Sequence, residues 1–262
     1  MFVDPRRLIS ADLLLADLDG CLAVNNRPLP GAADLAARRG ARLHLVSNNS
    51  TDTAEGLART LAAGGLEIAP TRIHLAGETL LRRLRRERPD ARVLLAAAGD
   101  LPALAERLGI LPGREDAAIV ALCRDTAFDY GRLQVIAGAL AGGAELWVAN
   151  PDLTHPGPSK APVPETGALL AAVRAVAPGV TPRIFGKPEP ALFQAALDAT
   201  GVAAEDAVML GDNPRTDRAG AASLGIPALL IGTHPDAVAP DLASLLALAS
   251  DPHGPDPEGA VA

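Results

Sequence analysis

Three segments, far apart in the chain, carry the residues that could move a phosphoryl group. Asp17 and Asp19 stand in Leu13-Leu14-Leu15-Ala16-Asp17-Leu18-Asp19-Gly20, and Lys187 stands in Ile184-Phe185-Gly186-Lys187-Pro188-Glu189-Pro190. Asp212 and Asp217 stand in Val208-Met209-Leu210-Gly211-Asp212-Asn213-Pro214-Arg215-Thr216-Asp217. The chain has two lysines against 22 arginines, so generic positive charge is supplied by arginine and Lys187 is set apart. A compact ammonium on a flexible stem can act as a point charge on a phosphoryl oxygen beside a carboxylate, which a planar guanidinium does less well.

Charge arithmetic adds a cation to this set. Two unit charges 4 Å apart interact by roughly 4 kcal/mol at an effective dielectric of about 20. A phosphate dianion entering a pocket with Asp17, Asp19, Asp212 and Asp217 meets several such repulsions, and Lys187 offsets only part of them. Oxygen ligands from separate strand ends suit Mg²⁺, which binds through one or two carboxylates, waters and a substrate phosphate. A fourth segment, Ser47-Asn48-Asn49-Ser50, offers a hydroxyl and backbone N–H groups at a strand-to-helix junction. It reads as an anion site assisted by the next helix dipole, or as a plain helix N-cap.

These residues need elements to hold them. Residues 13–17, 43–47, 208–211 and 228–231 are continuous apolar runs, several of them closing on polar residues, the pattern of strands buried on both faces with the ligand crevice at their carboxyl ends. In an extended chain Asp17 and Asp19 point to the same side, and Gly20 lets the backbone turn away. The Asp-x-Asp-Gly pattern alone is equally an Asx-type turn closing a strand. Residues 53–63 and 189–200 read as helices. A second series fills the middle: strands at 92–96, 118–122 and 145–149, with helices at 100–108, 129–140 and 165–176. Alternation of this kind predicts parallel βαβ units and an α/β fold. Residues 151–164 read as a Pro/Gly-rich functional loop, 82–88 as a basic, solvated helical face, and 251–262 as a disordered tail.

Composition narrows the functional classes. A chain of 262 residues that is 48% hydrophobic can build one large domain or two smaller ones. A net charge of −7 and 2% aromatic residues argue against nucleic acid or an anionic membrane as partner. Cys21 and Cys123 lack metal or disulfide spacing and read as buried small hydrophobes. His44, His74, His234 and His253 show no ligand spacing. With no apolar segment before Asp12 and none of spanning length, a cytoplasmic protein is expected.

The four segments, in this order, resemble the signature motifs of the haloacid-dehalogenase (HAD) superfamily of aspartate-nucleophile phosphatases: DLDG at 17–20, VSNNS at 46–50, GKP at 186–188 and GDNPRTD at 211–217. The long insertion between Ser47 and Lys187 is similar to the α/β cap of the branch containing p-nitrophenyl phosphatases, NagD-type nucleotidases and vitamin B6 phosphatases. Pro-Gly-Ala at 30–32, Asp125 with Phe128 and Tyr130, and Asn150-Pro151-Asp152 also resemble that branch. Cys21 departs from it, standing where Thr or Val is usual. The resemblance implies a doubly wound, parallel-sheet, Rossmann-like core from residues 1–73 and 183–262. A smaller α/β cap domain, residues 74–182, is inserted into it.

The same resemblance implies roles. Asp17 would attack phosphorus and become a phosphoaspartate, with Asp19 as general acid and then base. Ser47 and Asn48 would hold phosphoryl oxygens, and Lys187 would neutralise charge. Mg²⁺ would sit on the Asp17 carboxylate, the Asp19 backbone carbonyl and Asp212, with Asp217 acting through a water. His155 matches a histidine over the pyridine ring in vitamin B6 phosphatases, although Thr154 replaces an aromatic there, and a lone loop histidine is otherwise an exposed side chain. Arg124 and Asp125 are cap candidates, or simple capping and surface-pairing groups. Expected substrates are small phosphates: pyridoxal phosphate, nucleoside monophosphates, glycerol phosphate or sugar phosphates. A homodimer through the cap is also implied. A phosphotransferase or mutase would use the same motifs. A dehalogenase is disfavoured by Asp19, and a silent binding module by the intact motif positions.

Overall fold

The computed structural model describes residues 3–156 and 161–251. By its internal contacts the chain divides into two compact units. One comprises residues 1–46, 58–73 and 193–262, and the other residues 47–57 and 74–192. Each holds its own sheet.

The first sheet runs in the order Ala228–Leu230, Ala207–Gly211, Leu13–Ala16, Leu43–Ser47, Ile73–Leu75. Leu13–Ala16 is central and parallel to both neighbours, with Leu13 opposite Ala207 and Leu14 opposite Leu43. Every residue of Leu13–Ala16, Leu43–Ser47 and Ala207–Gly211 is buried, which is why the first and last read as unbroken apolar runs, whereas Leu43–Ser47 also buries His44 and Ser47. The chain first builds outward on one side of Leu13–Ala16 and later returns on the other. The carboxyl end of this strand is therefore a topological switch point, where α/β sheets place ligands.

The second sheet runs Arg183–Ile184, Glu145–Val148, Ile119–Leu122, Arg92–Ala96, Leu111–Pro112, all parallel. Val120, Leu122, Leu146 and Val148 pack with Ile136 and Leu140 of the helix Tyr130–Ala141 and Leu170 and Val173 of the helix Thr166–Val176. The α/β class expected from the sequence is what the structure has, and the expected elements end within about two residues of the observed ones, the usual uncertainty of a fraying terminus.

Some elements differ from expectation and others follow it. Residues 151–164 are not wholly loop, since Thr154–Pro156 pairs antiparallel with Pro162–Pro164, His155 opposite Val163. A tight hairpin joins Ala23–Val24 to Arg27–Pro28. Its corners Asn25 (φ 50°) and Asn26 (φ 59°) take the left-handed conformation that asparagine tolerates best among side-chain-bearing residues. The basic run at 82–88 belongs mostly to the amphipathic helix Ala76–Glu87, which buries Leu80, Leu81 and Leu84 and exposes Arg82, Arg85 and Arg86. Cys21 and Cys123 are buried. Of the expected tail, Asp251 follows the helix Leu242–Ser250, and residues 252–262 lie outside the described residues.

Candidate active site

In the first unit the acidic residues leave adjacent strand ends. Asp17 follows Leu13–Ala16, and its N–H donates to the carbonyl of Leu210 at 2.9 Å, continuing the ladder one residue beyond the strand. Its Oδ1 accepts the N–H of Leu18 at 2.8 Å. The chain then turns, with the N–H groups of Leu22 and Ala23 both donating to the carbonyl of Leu18. Gly20 sits at φ +84°, and a Cβ there would lie 2.2 Å from Asp212 Oδ2. Position 20 is thus glycine for two reasons, backbone conformation and the close approach of Asp212.

Asp212 follows Ala207–Gly211, and a single π-helical turn, Pro214–Arg218, swings Asp217 back beneath it. Asp217 is fully buried. Its Oδ2 accepts the N–H groups of Asp212 (3.1 Å) and Asn213 (3.0 Å). A Cβ at Gly211 would lie 2.2 Å from that same oxygen. Asp17, Asp212 and Asp217 each bring one carboxylate oxygen within 4.8 Å of the others. At an effective dielectric of about 20, each such pair repels by roughly 3–4 kcal/mol. A set of hard oxygen donors gathered against that repulsion fits a Mg²⁺- or Ca²⁺-like cation. Among the described residues no other group of three His, Cys, Asp or Glu side chains gathers so closely. The Asp19 side chain is exposed and stands outside the trio.

In the second unit the residues expected to grip phosphate form a separate knot. Ser47 ends its strand, buried, and its Oγ accepts the N–H of Asn49 at 3.1 Å. The Asn48 amide is engaged at both ends. Its Oδ1 accepts the N–H of Lys187 (2.7 Å), while its Nδ2 donates to the Lys187 carbonyl (3.1 Å) and to Asp152 Oδ2 (2.9 Å). What remains of Asn48 for an anion is main-chain N–H rather than side chain. Lys187 is buried, and Gly186 before it has no room for a Cβ, which would lie 2.5 Å from Asn48 Oδ1.

The helix-cap reading of residues 47–50 does not hold for the helix that follows them. The helix Ala54–Ala63 is capped by Thr53, whose Oγ1 accepts the N–H of Gly56 (3.1 Å), and by Glu78, whose Oε2 accepts the N–H of Ala54 (2.7 Å). Residues 47–50 therefore do not cap this helix.

Two residues that the sequence reading passed over complete the knot. Asn150, buried, donates through Nδ2 to the Asn48 carbonyl (2.7 Å) and lies 3.2 Å from Ser50 Oγ. Glu165 Oε1 lies 2.7 Å from His155 Nδ1 and 3.6 Å from Arg124 Nε. Burial pushes the Glu165 carboxyl above its usual range, against the opposing pull of Arg124 and His155. The Asn-Pro-Asp tripeptide was a signal for Asn150. Nothing local marked Glu165, which reads only as the first residue of the helix expected at 165–176, and in the structure precedes the helix Thr166–Val176.

Comparison with known proteins places the chain. The haloacid dehalogenase-like hydrolase family matches residues 14–111, and a HAD-hydrolase-like family matches residues 184–240. The chain is 27% identical over 220 residues to dihydroxyacetone phosphatase of Corynebacterium glutamicum, covering 83% of this chain and 79% of that protein. It is 33% identical over 232 residues to D-glycerol 3-phosphate phosphatase of Mycobacterium tuberculosis, covering 85% of this chain and 63% of the relative's length. Among solved structures, a glycerol phosphate phosphatase of M. tuberculosis in complex with magnesium superposes with a TM-score of 0.80 at 28% identity, covering 91% of this chain and 77% of that one. NagD of Escherichia coli K-12 shares the fold, with a TM-score of 0.78 at 24% identity over 89% of this chain and 98% of that one. The chain belongs to the haloacid dehalogenase-like hydrolases and is a NagD-like phosphatase among them, a phosphoric monoester hydrolase.

Proposed function

We propose that this phosphatase hydrolyses small-molecule phosphate monoesters, polyol, keto and sugar phosphates foremost, through a phosphoaspartate on Asp17. The observation that carries the reading is the trio of Asp17, Asp212 and Asp217 oxygens within 4.8 Å. Asp17, Asp212 and the Asp19 carbonyl would hold Mg²⁺, with Asp217 fixing Asp212. The bound cation would supply positive charge between these carboxylates and the phosphoryl oxygens. The substrates named for the relatives support the choice of small, oxygen-rich alcohols. Pyridoxal phosphate and nucleoside monophosphates stay in the screen.

Chemistry then follows from this chain's own residues. Asp17 attacks phosphorus, forming the aspartyl P–O bond as the bond to the leaving alcohol breaks. Asp19 protonates that alcohol and afterwards takes a proton from the water that attacks the phosphoaspartate, releasing inorganic phosphate and restoring Asp17. Ser47, the Asn48 main chain and Lys187 bind the phosphoryl oxygens. Residues 74–182 act as a substrate-covering cap on a core of residues 1–73 and 183–262, and a homodimer through that cap and a cytoplasmic location belong to the same reading. No helix among the described residues is long and apolar enough to cross a membrane.

The test is phosphate release from glycerol 3-phosphate and p-nitrophenyl phosphate, with and without Mg²⁺. Asp17→Asn should drop both to assay background while leaving Tm nearly unchanged. Turnover surviving in that variant would remove the nucleophile assignment.

A further inference from the structure

Four strands of the second sheet end on one short segment of the chain. Just past Glu145–Val148, Asn150 donates through Nδ2 to the Asn48 carbonyl at 2.7 Å. Just past Ile119–Leu122, Arg124 donates its N–H to Ser50 Oγ at 3.1 Å. Beyond Arg92–Ala96, Asp100 donates its N–H to the Thr51 carbonyl at 2.8 Å. Gly99 (φ +65°) comes so near that a Cβ there would lie 2.4 Å from the same oxygen. Beyond Arg183–Ile184, Lys187 is clasped by Asn48. From the helix Ala76–Glu87, the Gly77 N–H donates to the Asn49 carbonyl at 3.2 Å. The carboxyl ends of parallel strands are where an α/β sheet opens its ligand crevice. Here they bind residues 48–51 of the same chain, and 47–57 accordingly group with 74–192 as one unit.

Ser50 is the point where most of these bonds meet. Its side chain is buried, as are those of Asn150 and Thr166. Besides the Arg124 N–H, Ser50 Oγ lies 3.2 Å from Asn150 Nδ2 and 2.9 Å from Thr166 Oγ1. A hydroxyl has two lone pairs and one proton. The two N–H donors take the lone pairs, so the proton goes to Thr166 Oγ1. Asn150 Nδ2 closes the ring, 3.3 Å from that same Thr166 oxygen. The backbone is packed as tightly, since a Cβ at Gly77 would lie 2.9 Å from Ser50 Cα. With its capacity for hydrogen bonds filled, Ser50 has nothing to offer a substrate directly.

We propose that Ser50 is a positioning residue for phosphoryl transfer. Its hydroxyl, with Thr166 as proton acceptor, ties the phosphate-gripping segment to the strand ends of the second sheet. The segment thereby takes its rigidity from the sheet, which fixes where the Ser47 hydroxyl and the Asn48 main chain point. Without this bond Asn48 still holds Lys187, but the segment can shift, and a displacement of about 1 Å in a positioned group costs on the order of a hundredfold in rate. The role rests on the assignment of Ser47, the Asn48 main chain and Lys187 to phosphate, made under the phosphatase reading.

The experiment compares the unaltered protein with Ser50→Ala, Thr166→Val and Thr166→Ser. It reads kcat and KM for p-nitrophenyl phosphate, the inhibition constant of inorganic phosphate, Tm, and the rise in Tm produced by Mg²⁺ alone. Ser50→Ala should weaken phosphate inhibition about tenfold and lower kcat/KM about 10–100-fold. Its Mg²⁺-induced rise in Tm should be unchanged, because the acidic trio belongs to the other unit. Thr166→Val, which removes only the proton acceptor, should weaken phosphate inhibition about threefold. Thr166→Ser restores that acceptor and should behave as the unaltered protein does. The Thr166 pair decides the matter should Ser50→Ala fail to fold. Unchanged phosphate inhibition in Ser50→Ala and Thr166→Val, a loss that Thr166→Ser shares, or an equally diminished Mg²⁺ response would overturn the positioning role and leave the phosphatase reading standing. No phosphate release from any ester by the unaltered protein would end both.

Discussion

The carboxylate of Asp217 holds the main chain of Asp212, its Oδ2 accepting the Asp212 N–H at 3.1 Å. A buried acid thus fixes where the next acid of the trio points. Removing it leaves the part-buried N–H groups of Asp212 and Asn213 without this acceptor, a loss that water offsets in part, and frees Asp212 to drift from the geometry a cation needs. Asp217→Ala is expected to raise the Mg²⁺ concentration for half-maximal activity by about 10–100-fold and to shrink the rise in Tm that Mg²⁺ produces. Asp217→Asn, which keeps one acceptor oxygen, should be milder on both readouts. An unchanged Mg²⁺ dependence in Asp217→Ala would show that the trio does not act as one site.

Asn48 is expected to matter through Lys187 rather than through direct contact with substrate. Its Oδ1 accepts the Lys187 N–H at 2.7 Å and its Nδ2 donates to Asp152 at 2.9 Å. Asn48→Ala removes both, and a displacement of about 1 Å in a positioned group can cost on the order of a hundredfold in rate. Asn48→Asp retains an acceptor for Lys187 but sets a second carboxylate against Asp152, so it should be no better than alanine. The measurement is inhibition by inorganic phosphate alongside kcat. Both variants should weaken phosphate binding, and equal inhibition constants in all three proteins would show that the clasp does not position Lys187.

What was legible in the sequence follows from how far each interaction reaches along the chain. Strands buried on both faces are mostly apolar, so Leu13–Ala16 and Ala207–Gly211 read directly as apolar runs, and the aspartates at their ends read as a ligand-facing pair. The π-helical turn that brings Asp217 under Asp212 has no such periodicity. The Asn48–Lys187 clasp joins residues 139 positions apart through side-chain-to-backbone bonds that leave no spacing rule. Residues 47–50 were ambiguous because a Ser/Asn run serves a cap and an anion site alike. Only the placement of Thr53 and Glu78 on the helix Ala54–Ala63 separates the two. Glu165 was invisible because its partners, Arg124 and His155, come from other elements of the fold.

His44 supplies a pH dependence of stability with a definite sign. It lies buried in Leu43–Ser47 opposite Leu15, and burial first, then the Arg72 charge, hold its imidazole below the ordinary 6.5. The native chain therefore stays unprotonated at His44 in a range where the unfolded chain takes up a proton. Unfolding is favoured as pH falls, so the contribution is fully present above about 6.5 and is lost as pH drops towards the folded-state value, at most about 1.4 kcal/mol per pH unit. The Tm difference between pH 7.5 and 5.5 should be larger in the unaltered protein than in His44→Leu, which has no proton to take up. Arg72→Met, by removing the second cause, should give an intermediate difference. Identical pH slopes in the unaltered protein and His44→Leu would mean that the imidazole titrates alike in the folded and unfolded chains.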